Sequence, residues 1–85
     1  MSYRVLLERA AQRDFQALDP SVARRVRERL LSLEHDPRPP GVRKLRALLP
    51  PCYRLRVRNW RILYTIDDRA REVRVYRIKH RSKAY

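Results

Sequence analysis

The sequence has one cysteine and one glycine, and each scarcity excludes a class of site. A single cysteine, Cys52, can form neither an internal disulfide nor a thiolate metal cluster, and we expect it to be a small buried residue where a strand starts. A single glycine excludes a glycine-rich phosphate loop. His35 and His80 with one cysteine supply no zinc constellation. We therefore expect no metal and no cofactor.

Long apolar runs are also missing. No stretch approaches the roughly 18–20 residues needed to cross a bilayer, and the first residues lack the apolar segment of a signal peptide. We therefore expect a cytoplasmic protein with no membrane partner. The 85 residues are expected to form one domain, residues 1–85, with an adequate rather than a large core.

Positive charge is abundant and unevenly distributed. The 22 basic and 9 acidic residues give a formal net charge of +13. Residues 1–42 carry 8 basic and 6 acidic side chains, whereas residues 43–85 carry 14 basic and 3 acidic ones. Nineteen of the basic residues are arginine, whose planar fork suits phosphate groups. This balance favours a polyanionic partner: a phosphate backbone, an acidic protein or an anionic surface.

Residues 52–66 have the clearest pattern in the chain. The first half alternates between apolar residues and arginines, which predicts a strand with one buried face. Asn59 interrupts the pattern as a turn residue, and a second alternating run follows. Folded as a hairpin, the stretch gathers Arg54, Arg56 and Arg61 on the face opposite the core, where their mutual repulsion favours binding of a polyanion. The side chains expected on the buried face are Tyr53, Leu55, Val57, Ile62 and Tyr64.

The rest of the chain predicts two helices and two further strands. Asp19 can cap the second helix, which begins at Pro20. Residues 37–51 hold five of the six prolines and are expected to form a stiff surface connection, with one helical turn at Arg43–Leu48. The predicted order is β-α-α-β-β-β, an α+β fold in which a mostly antiparallel four-stranded sheet carries a helical hairpin on one face. The elements that flank the hairpin are strands over residues 2–7 and 72–79 and helices over residues 8–18 and 20–35.

The residues available for chemistry fit metal-independent RNA cleavage. In that reaction the 2′-hydroxyl of the RNA is the nucleophile, and the protein orients it and stabilises the charged phosphorane. Arg54, Arg56 and Arg61 can stabilise the charge, but arginine is a poor base. His80 is the candidate for proton transfer because an unperturbed imidazole titrates near neutrality; the alternative is a solvated residue at a strand end. Tyr85 can stack on a base or serve as a packing anchor.

Basic residues outside the hairpin are candidates for a wider nucleic-acid-binding surface. The simplest interpretation of the helix arginines is a solvated face, and the alternative is a second contact surface for a large nucleic acid. The residues assigned to this surface are Arg24, Arg25, Lys44, Lys79 and Lys83.

Several short motifs occur together in the order typical of one family. The sequence resembles the RelE/ParE superfamily of type II toxin–antitoxin systems across nearly its whole length. A terminal segment from His80-Arg81 to Tyr85 completes the pattern. The other motifs, in chain order, are Asp36-Pro37-Arg38-Pro39, Lys44-Leu45, Tyr53-Arg54-Leu55-Arg56-Val57 and Trp60-Arg61-Ile62-Leu63-Tyr64.

The resemblance implies a toxin that is held inactive by a small antitoxin encoded beside it. RelE-like members enter the ribosomal A site and cut mRNA, whereas ParE-like members act on DNA gyrase. The basic pair of RelE-type enzymes is lysine in the best-studied type and arginine here. The tail supplies the acid, and either His80 or Arg81 can take that position. The other matching residues are Arg54 and Arg56 for the basic pair, Arg61 for the phosphate-binding arginine and Tyr85 for the stacking tyrosine.

The resemblance thus implies an endoribonuclease acting on ribosome-bound mRNA. The implied partners are an acidic, RelB-like antitoxin, the ribosome and its mRNA, with operator DNA bound only through the antitoxin complex. Two alternatives stay open: a ParE-like inhibitor of DNA gyrase, and a catalytically weak co-repressor that mainly binds the antitoxin. The retained basic residues favour the nuclease.

Overall fold

A five-stranded sheet with two helices packed on it makes up the fold in the computed structural model, which describes residues 2–45 and 51–83 and only the backbone of Lys83. The elements are β1 (Arg4–Leu7), α1 (Arg9–Gln16), α2 (Pro20–Ser32), β2 (Arg43–Leu45), β3 (Cys52–Val57), β4 (Trp60–Asp67), β5 (Glu72–His80) and a 3-10 turn (Arg81–Lys83). The strand order is β1-β5-β4-β3-β2, and all neighbours are antiparallel except β1 and β5. Helix α1 packs on β1 and β5, and α2 packs on β3.

The predicted α+β class and the mostly antiparallel sheet are confirmed, but the predicted number of four strands is wrong. The additional strand is β2, which pairs with β3 over Arg43–Leu45. These residues were expected to begin a helical turn, and residues 46–48 of that turn lie outside the described residues. With three residues and one apolar side chain, β2 carries no alternation to detect, because it forms through pairing with its neighbour.

Helix α2 begins at Pro20, as the sequence predicts. The Asp19 carboxylate accepts hydrogen bonds from the backbone N–H groups of Ser21 and Val22, both at 3.1 Å, and Pro20 occupies the first turn. Val26 and Leu30 are the buried residues of α2, and Ala11 is that of α1. None of the helices within residues 2–45 and 51–83 is long and apolar enough to span a membrane.

The core lies between the helices and the inner face of the sheet. Tyr53 and Tyr64 are both buried there, as predicted, and their rings stack with centroids 5.7 Å apart. Ile62, Val73 and Ile78 are almost inaccessible around them. Burying each such side chain stabilises the fold by roughly 1.5–3 kcal/mol relative to leaving it exposed. Because arginines alternate with buried residues along β3, the arginines must lie on the opposite face of the sheet.

A two-residue turn sets the register of the central hairpin. Val57 pairs with Trp60, so only Arg58 and Asn59 lie between β3 and β4. Arg58 takes the left-handed conformation, with φ of 55°, that glycine adopts more easily. The next pair outward from the turn is Arg56 with Arg61, and this register therefore places two guanidiniums side by side.

The segment 36–42 between α2 and β2 is held by side chains of three different strands or turns. The buried Tyr64 hydroxyl donates a hydrogen bond to the Pro37 carbonyl at 2.8 Å. Arg38 donates to both oxygens of Asp68, at 2.8 and 3.2 Å, and its Nε donates to the Tyr53 hydroxyl at 3.2 Å. Gly41, at φ of +87°, then turns the chain into β2. The segment is therefore anchored at its start and continues directly into strand β2.

Acid is expected to weaken the anchor at Asp68. Hydrogen bonds from Arg38 and then Tyr3 lower the pKa of the Asp68 carboxyl to about 2. Because the folded-state pKa lies below the unfolded value of about 3.9, Asp68 stabilises the fold above about pH 4, and this contribution is lost as the pH falls toward 2. Urea unfolding at several pH values is the measurement: the wild-type midpoint is expected to approach that of Asp68→Asn on acidification. A constant difference between the two proteins would contradict the assignment.

A carboxylate covers part of the outer edge of β5. This strand extends beyond the end of β1, which pairs only with Glu72–Val75. Asp14 of α1 accepts the backbone N–H of Ile78 at 2.9 Å and Nε of Arg77 at 2.8 Å. These bonds and the nearby cations lower the pKa of the Asp14 carboxyl despite its partial burial. The end of β5 is thereby fixed against α1.

Candidate functional site

Four arginines line one small depression on the sheet face opposite the helices. Arg43 lies directly across from Arg54 in the β2–β3 pair, and Arg56 lies across from Arg61 in the β3–β4 pair. Directly paired residues share a face of the sheet. Together with Gly41 these arginines enclose a cavity of about 190 Å³, which we call the arginine cavity. The hairpin prediction for Arg54, Arg56 and Arg61 is thus confirmed in geometry.

Arg61 is the buried member of the arginine cavity. Its residue exposure is 8 %, and within residues 2–45 and 51–82 it is the one buried charged residue. Burial, followed by the charges of Arg56, Arg54 and Arg81, lowers the pKa of its guanidinium. Guanidinium nevertheless stays protonated near neutrality. A buried cation among other cations is costly, and an anion in the cavity would remove that cost.

The ion pairs of the described residues lie away from the arginine cavity. Arg61 donates to the Trp60 carbonyl at 3.3 Å. In the part of the chain that the structure describes, no carboxylate forms an ion pair with Arg43, Arg56 or Arg61. The ion pairs found there are Arg4–Glu72, Arg38–Asp68, Arg74–Glu72 and Arg77–Asp14. The cluster of arginines favours binding of an anion, and the guanidinium fork suits phosphate.

The two candidate acids differ in their relation to the arginine cavity. His80 pairs with Trp60, and its ring meets the Trp60 ring edge-on at 5.2 Å between centroids. Because Trp60 packs against the core, His80 lies on the helix-bearing side. The charge of Arg81 contributes to the lowered pKa of the Arg61 guanidinium. Neither candidate acid lines the arginine cavity, and Arg81 is the one whose charge acts on Arg61.

The sequence model of a known family matches residues 5–85; it describes the ParE toxin of the type II toxin–antitoxin system parDE. The chain belongs to the RelE/ParE toxin superfamily. A chain of the RelBE2 toxin–antitoxin complex of Mycobacterium tuberculosis is 30 % identical to this toxin, with a TM-score of 0.84 over 95 % of this chain and 100 % of that one. Curated protein sequences give no match.

Two further solved structures show the same fold. A chain of the archaeal RelE–RelB complex from Pyrococcus horikoshii is 27 % identical, with a TM-score of 0.85 over 99 % of this toxin and 100 % of that chain. The isolated Escherichia coli RelE toxin is 23 % identical, with a TM-score of 0.81 over 93 % of this toxin and 84 % of that chain. This protein is therefore a toxin of a type II toxin–antitoxin system.

The predicted ribosome-binding residues of the toxin do not form one patch. Lys79 pairs directly with Arg61 and extends the charged row across the sheet. Lys44 pairs with the buried Tyr53, so the register assigns it to the other face. Arg24 and Arg25 are exposed on α2 and, with Arg58, line a separate depression of about 490 Å³. Tyr85 and the side chain of Lys83 lie outside the described residues.

Sequence reasoning missed Arg43 and the apolar part of the arginine face. Leu63, which pairs with Arg54, is 8 % exposed there. Beside it, the Tyr76 hydroxyl donates to Sγ of Cys52, and burial followed by this bond raises the pKa of the Tyr76 phenol. Cys52 is buried at the first residue of β3, as predicted. The unalternating apolar run from Ile62 to Tyr64 was the signal that both faces of β4 are covered.

Inorganic phosphate is expected to stabilise the toxin through Arg61. Saturating phosphate that binds only the folded state should raise Tm by roughly 5 °C, equivalent to about 1 kcal/mol for a domain of this size. Differential scanning fluorimetry in phosphate and in chloride of equal ionic strength measures this shift. Arg61→Ala is the control for the general stabilising effect of phosphate. An equal rise in both proteins would show that the cavity does not bind the anion.

Proposed function

We propose that this toxin is a metal-independent endoribonuclease that cleaves mRNA in the ribosomal A site and so inhibits translation. The observation that supports this proposal most directly is the buried Arg61 guanidinium in a cavity walled by other arginines. A phosphorane carries more negative charge than the phosphodiester from which it forms. Fixed cations therefore stabilise the transition state more than the ground state, which is the requirement for catalysis.

In the proposed reaction, the 2′-oxygen attacks the adjacent phosphorus and the bond to the 5′-oxygen breaks. The products are a 2′,3′-cyclic phosphate and a 5′-hydroxyl. Arg54, Arg56 and Arg61 hold the non-bridging oxygens and orient the phosphate for in-line attack. The residues that line the arginine cavity include neither histidine nor carboxylate, and we assign removal of the 2′-proton to water.

We assign protonation of the departing 5′-oxygen to Arg81. An alkoxide is a strong base, because its conjugate acid is about as weak as water. A guanidinium is a stronger acid than that alcohol, so transfer of its proton is downhill once the P–O bond breaks. Water then returns a proton to Arg81. Tyr85 is proposed to stack on a base of the substrate.

The partners follow from charge and from the relatives. The solved relatives from Pyrococcus horikoshii and Mycobacterium tuberculosis are toxin–antitoxin complexes, RelE–RelB and RelBE2. We propose an acidic, RelB-like antitoxin that offsets the net charge of +13, with operator DNA bound only through that complex. The ribosome-facing cations are proposed to be Arg24, Arg25, Lys44, Lys79 and Lys83.

Inhibition of DNA gyrase is the second candidate. It is favoured by the matching family description, which names the ParE toxin. That function gives no role to a buried arginine among arginines, whereas phosphate chemistry does. It predicts toxicity that is independent of Arg54 and Arg61.

Primer extension on a defined mRNA in programmed ribosomes tests the proposal. New stops at the A-site codon are expected with the purified toxin, and none with Arg61→Ala or without ribosomes. Toxicity together with an unchanged mRNA would refute the nuclease. Loss of DNA supercoiling by gyrase in the presence of the toxin would then support the second candidate.

A further inference from the structure

The Asp36-Pro37-Arg38-Pro39 motif has no part in the proposed chemistry, yet the structure gives Arg38 an unusually complete set of partners. Both oxygens of the Asp68 carboxylate accept from its guanidinium, and the Tyr53 hydroxyl accepts from Nε. Its Cζ lies 5.5 Å from the centroid of the Tyr53 ring. The Tyr3 hydroxyl donates to the same carboxylate at 2.6 Å. One arginine thus joins the segment after α2 to β3 and to the β4–β5 turn.

The segment that Arg38 holds ends in a wall of the arginine cavity. Gly41 and Arg43 both line that cavity and lie three and five residues beyond Arg38. The backbone N–H of Val42 donates to the Pro39 carbonyl at 3.1 Å, which closes a turn over residues 39–42. Strand β2, which carries Arg43, has three residues and pairs only with β3 in the described part of the chain. So short an edge strand contributes little to its own order.

We infer that Arg38 is a positioning residue for phosphate binding: its bonds to Asp68 and Tyr53 hold the 39–42 turn so that Arg43 faces Arg54 across the arginine cavity. The inference rests on the proposed phosphate site. Arg38 itself is neutralised by Asp68 and stacked on Tyr53, so its own charge is not available to a ligand at the cavity. We therefore expect its effect on binding to pass through Arg43.

A double-mutant cycle separates this role from a general loss of positive charge. The probe is a fluorescein-labelled hexanucleotide of 2′-O-methyl RNA, which cannot be cleaved because it lacks the 2′-hydroxyl. Its dissociation constant is measured by fluorescence anisotropy at low salt for Arg38→Gln, Arg43→Ala and the double variant. Arg69→Gln is the matched control, because Arg69 neighbours Asp68, is exposed and has no ion pair in the described residues.

Arg38→Gln is expected to weaken binding about fivefold in the wild-type background and less than 1.5-fold in the Arg43→Ala background, a coupling of about 0.7–1 kcal/mol. Arg69→Gln is expected to have the same small effect in both backgrounds. If Arg38→Gln does not fold, Asp68→Asn breaks the same ion pair and is expected to couple to Arg43 in the same way. Equal losses from Arg38→Gln, or from Asp68→Asn, in both backgrounds would overturn the positioning role.

The same titration reports separately on the proposed phosphate site. Wild type is expected to bind the probe at least tenfold more tightly than Arg61→Ala. Equal binding by these two proteins would refute the phosphate site, and with it the inference. Tighter binding by wild type, without coupling between Arg38 and Arg43, would refute the inference alone.

Discussion

Replacing Arg61 with methionine is expected to abolish cleavage without weakening the fold. Loss of one preorganised donor to a developing oxyanion lowers kcat by about 10²–10³-fold. A buried guanidinium beside Arg54, Arg56 and Arg81 is itself destabilising, and a similarly long apolar side chain in its place should raise the free energy of unfolding by about 1 kcal/mol. Most buried residues behave in the opposite way, because their loss costs stability.

Cleavage by programmed ribosomes and urea unfolding, both on purified protein, test the two halves of this expectation. Arg69→Met is the matched control, because it removes an exposed arginine of the β4–β5 turn, and it should change neither quantity appreciably. A loss of more than about 2 kcal/mol in Arg61→Met would mean that its bond to the Trp60 carbonyl, and not phosphate binding, is its main role. Cleavage at the wild-type rate would remove Arg61 from the mechanism.

Arg81 and His80 are adjacent in sequence, and their substitutions are expected to differ widely in effect. Arg81→Gln should lower the rate of cleavage about 100-fold, because we assign protonation of the leaving oxygen to Arg81, whose charge acts on Arg61. His80→Gln should lower it less than about threefold, because His80 contacts Trp60 on the helix-bearing side of the sheet. Single-turnover cleavage in programmed ribosomes measures both rates, and Arg81→Lys should restore part of the loss since it restores the charge.

The pH profile provides an independent test of the same assignment. An imidazolium acid would be lost near pH 6.5, whereas a guanidinium stays charged beyond pH 9. We therefore expect no falling limb in the rate between pH 6 and 9. A falling limb that disappears in His80→Gln would transfer the acid role from Arg81 to His80.

The hairpin could be predicted because one physical signal determines it. Arginines alternate with apolar residues in β3, and a turn residue separates two runs of compatible length. This suffices to place Arg54, Arg56 and Arg61 on one face. Arg43 could not be placed in the same way. Its strand forms only through pairing with β3 and has no periodicity of its own.

The tail could not be assigned from alternation alone because β5 contains a bulge. The pairing of β4 with β5 shifts between Leu63 and Tyr64, so that Val75 and Ile78, three residues apart, both face the core. Past the bulge the parity is reversed, and His80 joins the core side. The spacing of Val75 and Ile78 is the one trace of this shift in the sequence, and it becomes meaningful only once the register is known.

The carboxylate of Asp14 at the outer edge of β5 also bears on how two copies of this toxin meet. Backbone groups at a free strand edge are a template for another strand, and proteins commonly block such edges with charge. Here the N–H of Ile78 is already occupied by Asp14, which Arg77 holds in place. An incoming strand would have to displace a charged side chain that accepts hydrogen bonds from two residues. This end of the sheet is thereby protected against edge-to-edge aggregation.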